Sequence, residues 1–141
     1  MSSIWVSDAQ KKVYSKAKAI ITATLKTKYP DIYITGNDET PKEPSFPTVY
    51  IHSLQPVERG HDIENIGING ILLTMEVEVT ATKAQGMTVA EEVAYVALEA
   101  FKSMNFNVSL LPYFDNDGSG TKRMIARYSR IIGYNDILTD N

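Results

Sequence analysis

The chain has no cysteine. That removes disulfides, thiolate zinc sites and cysteine nucleophiles together, and it fits a reducing compartment. A basic excess is also missing: the net charge of −3 and pI near 5.4 argue against a general nucleic-acid binder, which must neutralise phosphates. Long apolar runs are absent as well. The opening MSSIWVSDAQKK offers three apolar residues in a row where a signal peptide needs seven or more, and nothing approaches a membrane span. A soluble protein, made and used without secretion and without a membrane, is expected. Histidine is scarce, with His52 and His61 alone, and no GxSxG elbow, HExxH helix or GxxxxGK loop occurs. Neither catalysis nor a cofactor is expected.

What is present is pattern. Ile71, Leu73, Met75, Val77, Val79 and Ala81 alternate with Leu72, Thr74, Glu76, Glu78, Thr80 and Thr82, which predicts a strand with one dry and one wet face. Such a strand runs roughly 40 Å, against a radius of gyration of about 14 Å for a compact chain of this length. It must cross the whole domain. With 141 residues, 43% apolar and 22% charged, the chain fits one domain with one core.

Ser7 and Gln10 fit a capping box that opens a first helix. Its stripe is Val13, Tyr14, Ala17, Ile20, Ile21, Thr24 and Leu25, and Pro30 closes it. Trp5, beside Ile4 and Val6, is expected to tuck under this helix or to anchor a neighbour. Short strands are expected over Asp31 to Thr35 and Phe46 to Leu54, separated by the polar loop GNDETPKEP. Residues 55–67, QPVERGHDIENIG, read as an arm that orders on a partner. Asn69-Gly70 is a candidate type I′ turn joining that arm to the long strand. Thr88 and Glu91 form a second capping box, before a helix that buries Val89, Val93, Val96, Ala97, Ala100, Phe101 and Met104. Asn107 to Pro112 and Lys122 to Gly133 then read as a hairpin around DNDGSG, and the tail 135–141 as frayed. The order predicts an α+β fold: a mainly antiparallel sheet of four to five strands backed by two helices.

Few side chains invite chemistry. Placing Gly118 at the sixth position of a calcium loop puts Tyr113 first and Met124 last, neither of which coordinates as required. His61 sits with Glu58, Arg59, Asp62 and Glu64 in the arm at spacings that match no metal motif, so a solvated or partner-facing charge cluster is expected. Glu76 and Glu78 protrude from one strand face. Lys122, Arg123, Arg127 and Arg130 crowd the last strand, with Arg123 and Arg127 on one parity and Arg130 on the other. Contact across a subunit boundary ranks first for these charges, solvation second and nucleic acid third.

Four segments together resemble the tail terminator, or tail completion, proteins of long-tailed bacteriophages and related tail-like particles. They are F-P-T-V-Y-I from Phe46, M-E-V-E-V-T-A-T from Met75, A-E-E-V-A-Y-V-A-L-E-A-F from Ala90, and R-M-I-A-R-Y-S-R-I-I-G from Arg123. The resemblance implies a homohexameric ring, located in the virion at the head-proximal end of the tail. Such a ring stops growth of the tail tube protein and offers a surface to head-completion and neck proteins. Genome DNA passes through the lumen without specific binding, and no cofactor is implied. The expected intersubunit pairs are Arg123, Arg127 and Arg130 against Glu76, Glu78 or the arm's acids. Another neck component, a tube subunit and a nucleic-acid-binding module are the competing readings.

Overall fold

In the computed structural model, the described residues are 4–36, 45–59, 69–115, 120–134, 136 and 138. The elements run α1 (Trp5–Leu25), β1 (Tyr33–Thr35), β2 (Thr48–Ser53), β3 (Val57–Arg59), β4 (Gly70–Ala81), α2 (Gly86–Ser103), β5 (Asn107–Phe114) and β6 (Lys122–Gly133). They form one sheet of order β1-β2-β4-β6-β5, with β3 also paired to β4. The fold is α+β with two helices, as expected, but the sheet has six strands and is mixed. β1 lies parallel to β2, while the other pairings are antiparallel. The chain itself carries the reason: twelve residues separate Thr35 from Thr48, about the length a parallel crossover needs and far more than a hairpin uses.

From Ile71 onward β4 buries its odd-numbered residues and leaves the even-numbered ones partly exposed. The dry side packs under α2, which also covers β5 and β6, while α1 lies against α2 and β2. Because β6 pairs with both β4 and β5, the unit β4-α2-β5 is a crossover split by the strand that follows it.

Both helices begin earlier than the expected boxes. α1 starts at Trp5 with no side-chain cap, and Gln10 instead accepts a hydrogen bond from the Ser53 hydroxyl at 3.3 Å. Trp5 lies inside the first turn, edge-on to Tyr134 at 6.0 Å between ring centroids. Before α2 the reciprocal pattern belongs to Thr82 and Gln85 rather than Thr88 and Glu91. The Gln85 N–H donates to Thr82 Oγ1 at 3.0 Å, and the Thr82 N–H donates to Gln85 Oε1 at 3.1 Å. T-K-A-Q satisfies the same sequence rule as the box expected further on.

α2 ends in a Schellman motif. Asn105 sits at φ 64°, the Phe106 N–H reaches Phe101 O at 3.0 Å, and the Asn105 N–H reaches Lys102 O at 2.9 Å. The Phe101 and Phe106 rings meet edge-on at 5.3 Å, the apolar contact that accompanies this cap. Asn105→Ala is expected to cost about 1 kcal/mol, since a side chain without a local polar group gives no help in the left-handed region. Asn105→Gly should keep full stability; urea denaturation of the two variants separates these outcomes.

Phe101 also stacks on Tyr128 at 4.8 Å. Tyr128 is fully buried, and its hydroxyl has no hydrogen-bond partner among the described residues. Burial, with a smaller contribution from Tyr95, pushes its ionisation well above the usual tyrosine value. The folded state therefore favours the neutral phenol. Its contribution is fully present below about pH 10, where free tyrosine titrates, and is lost as pH rises toward the raised folded value. Tyr128→Phe should add about 1 kcal/mol at neutral pH and move alkaline unfolding to higher pH. Loss of stability in that variant would mean that the hydroxyl is paired.

The tail expected to fray is partly held. Asp136 Oδ1 accepts from Arg130 Nη2 at 3.0 Å and from the Leu138 N–H at 2.8 Å, and Leu138 is buried in the core. Asn69-Gly70 is not a two-residue turn: Gly70 pairs with Arg59, so ten residues separate the two strand ends. A Cβ at Gly70 would lie 3.1 Å from Arg59 O, which explains a glycine where β3 approaches closely.

Candidate functional site

The sheet face opposite the helices carries most of the charge singled out in the sequence. Its order follows from register. Glu76 lies between His52 on β2 and Arg127 on β6, and Glu78 between Tyr50 and Ile125. His52 Nε2 is 2.9 Å from Glu76 Oε1, and Arg127 Nε donates to Glu76 Oε2 at 2.8 Å. Arg123 Nη1 is 3.5 Å from Glu78 Oε1, and the same guanidinium bonds Asp115. The imidazole also approaches Glu78 at 3.8 Å and stacks on Tyr50 with 4.4 Å between centroids.

This arrangement corrects the expected intersubunit pairs. Arg127 with Glu76 and Arg123 with Glu78 are cross-strand pairs inside one chain. Arg130 belongs to the other face, opposite Leu73, where its largely buried side chain pairs with Asp136. Glu58 and Arg59 are exposed on β3, the described part of the arm, and the arm orders there against its own β4. His61, Asp62 and Glu64 lie outside the described residues.

His52, Glu76 and Glu78 offer ligand atoms within 4.8 Å of one another. As a donor set, one imidazole and two carboxylates suit a divalent cation. Here Arg127 already pairs with Glu76 and Arg123 with Glu78, so the cluster reads as a salt-bridged ladder, and we assign no metal to it. His52 was legible as a wet-face residue from the alternation of Thr48, Tyr50 and His52 against Val49 and Ile51. Its meeting with Glu76 was not, because pairing register across a long connection is not written in either strand.

Beside the ladder the open face is apolar. Val57, Leu72 and Ile131 form one cross-strand row, with Val57 46% and Ile131 63% exposed. Tyr113, 45% exposed, sits opposite Ile125 at the far edge. Such a face is equipped to be covered: Glu76 and Glu78 already have partners within the chain, and its apolar residues are uncovered.

No family model matches the chain, and comparison with curated proteins returns no match. No helix among the described residues is long and apolar enough to cross a membrane.

Arg127→Glu would bring a third carboxylate beside Glu76 and Glu78. It should lower subunit stability by about 1–2 kcal/mol, whereas Arg127→Ala should cost under about 1 kcal/mol because that guanidinium is half-exposed. Equal urea midpoints for the two variants would remove the intrachain role assigned to this pair.

Proposed function

We propose that the chain is the subunit of a closed ring that ends a tubular polymer, the role of the tail terminator proteins it resembles. The observation that carries this reading is the pair of unlike sheet edges. At one end lies β1, three residues long; at the other lies β5, eight residues long, with register shifts after Val108 and Leu110. Unlike edges do not pair by twofold symmetry, but they suit a head-to-tail contact, which closes when the rotation per subunit completes a circle. The irregular β5 edge rejects an arbitrary strand and leaves room for a fitted one.

Further support comes from where the resembling segments fall. They supply β2, β4, α2 and β6, the centre of the domain, so the likeness concerns the framework rather than a peripheral loop. The exposed apolar row and the salt-bridged ladder suit a contact role with no reaction and no cofactor. In this reading one ring face docks on the tail tube protein, and the other meets head-completion proteins at the head-proximal end of a virion tail. DNA passes through the lumen unread.

Native mass spectrometry followed by electron microscopy tests the proposal. Six-membered rings are expected, alone or on addition of tube subunits. Long filaments of the isolated chain would reassign it as a tube subunit, and a monomer that ignores tube ends would overturn the reading.

A further inference from the structure

Positive charge is segregated in this acidic chain. Between Asp8 and Asp31 there are six lysines and no carboxylate, leaving eight basic and seventeen acidic residues for the rest. Lys26 is bonded to Pro30 O and Lys28 to Glu92. Lys11, Lys12, Lys16 and Lys18, in the first half of α1, make no ion pair among the described residues. They surround the helix face opposite the buried Val13, Ala17 and Ile21. Lys18 lies over the Tyr14 ring at 5.9 Å, whereas Lys12 and Lys16, four residues apart on one flank, repel each other, and a solvated helix gains nothing by that spacing.

The complementary surface is on α2. A groove of about 460 Å³ runs between the helices, its walls almost wholly apolar and made by Ile20, Val96 and Ala100, with Tyr95, Glu92 and Glu99 along it. Glu92 is held by Lys28 at 2.8 Å and by the Tyr29 hydroxyl at 3.2 Å. That hydrogen bond raises the Lys28 pKa, so the pair stays ionic. Glu99 is exposed and has no cation partner among the described residues. An apolar floor with carboxylates along it fits a long aliphatic stem ending in a positive charge. Lysine has that shape.

We infer that the α1/α2 groove of one copy receives the lysine face of α1 from a second copy. Charge complementarity within a single sequence points to a copy of this chain rather than to an unrelated partner. Within one subunit the two surfaces share one helix layer, and they meet only at its end, where Lys28 reaches Glu92. Donor and acceptor are different surfaces, so the contact is heterologous and can propagate around a ring. The inference rests on the ring reading above and names surfaces through which neighbours would touch.

Mixing variants tests it. Lys12→Glu/Lys16→Glu reverses the donor, and Glu99→Lys reverses the acceptor; all three positions lie outside the buried core, so circular dichroism melts should match wild type. Lys12→Glu/Lys16→Glu alone should self-associate about tenfold or more weakly at about 50 mM salt, as two reversed charges imply, and Glu99→Lys alone, with one reversed charge, should weaken it by a smaller factor. An equimolar mixture should assemble again, because alternating copies restore opposite charges at every contact. Wild-type assembly by each variant alone, or failure of the mixture, would overturn this contact and leave the ring reading standing. Absence of wild-type self-association, alone or on tube subunits, would overturn both. Unchanged self-association with loss of salt-dependent duplex binding in Lys12→Glu/Lys16→Glu would overturn it too, and would assign the lysine face to nucleic acid.

Discussion

Twelve consecutive residue pairs join β4 to β6 without a break, and the rest of the molecule depends on that register. A slip of one residue would exchange faces along the slipped strand. In β4 it would carry Glu76 and Glu78 under α2 and expose Val77 and Val79. The penalty is large because the dry face is fully sealed: Leu73, Met75, Val77 and Val79 are each 2% exposed or less. Burying one such side chain contributes about 1.5–3 kcal/mol. Polar pairs then add direction to what hydrophobicity alone leaves approximate. Glu76 with Arg127 pins the ladder on the open side, while Arg130 with Asp136 ties the tail to β6 on the helix side.

The sequence made the long strands legible for the same reason. Alternation over twelve residues has one reading, and β4 and β6 emerge where it places them, to within a residue. The α2 stripe was legible in part: Val93, Ala97, Ala100 and Phe101 are buried as expected, but Val89 and Val96 are half-buried, and Ala90, Ala94 and Leu98 join the core in their place. Short elements were harder. A three-residue β1 has no period, and its parallel pairing is a fact about a connection rather than about the strand. Capping boxes misled because Ser7-x-x-Gln10 and Thr88-x-x-Glu91 satisfy a local rule that helices already nucleated upstream do not need. Packing of Trp5 on Tyr134 holds the first turn of α1, and Thr82 with Gln85 holds the turn before α2.

The candidate site was half legible. Parity placed Arg123, Arg127, Glu76 and Glu78 on one face and Arg130 on the other. Parity does not say whether opposite charges meet within a subunit or between subunits, and the sequence reading put them between. Antiparallel pairing of β4 with β6 brings them together at once, at no cost in assembly. Asp115 and Asp136 are not legible as arginine partners, because neither belongs to a strand whose alternation fixes its neighbours.

That internal pairing bears on assembly. A face whose carboxylates already have partners within the chain has little long-range pull on a neighbour, and in the proposed ring it would recognise one by shape and apolar contact through the row of Val57, Leu72 and Ile131. The helix layer differs: it separates lysines on α1 from carboxylates on α2 and leaves most of them unmatched. Unmatched opposite charges on one surface steer approach and fix polarity, while contributing little to strength at ordinary ionic strength. A ring needs both properties, polarity so that copies join head to tail and apolar contact so that they stay joined. In the ring we propose, two layers of one small domain would divide those tasks between them, and a single register, β4 on β6, decides which side chains each layer presents.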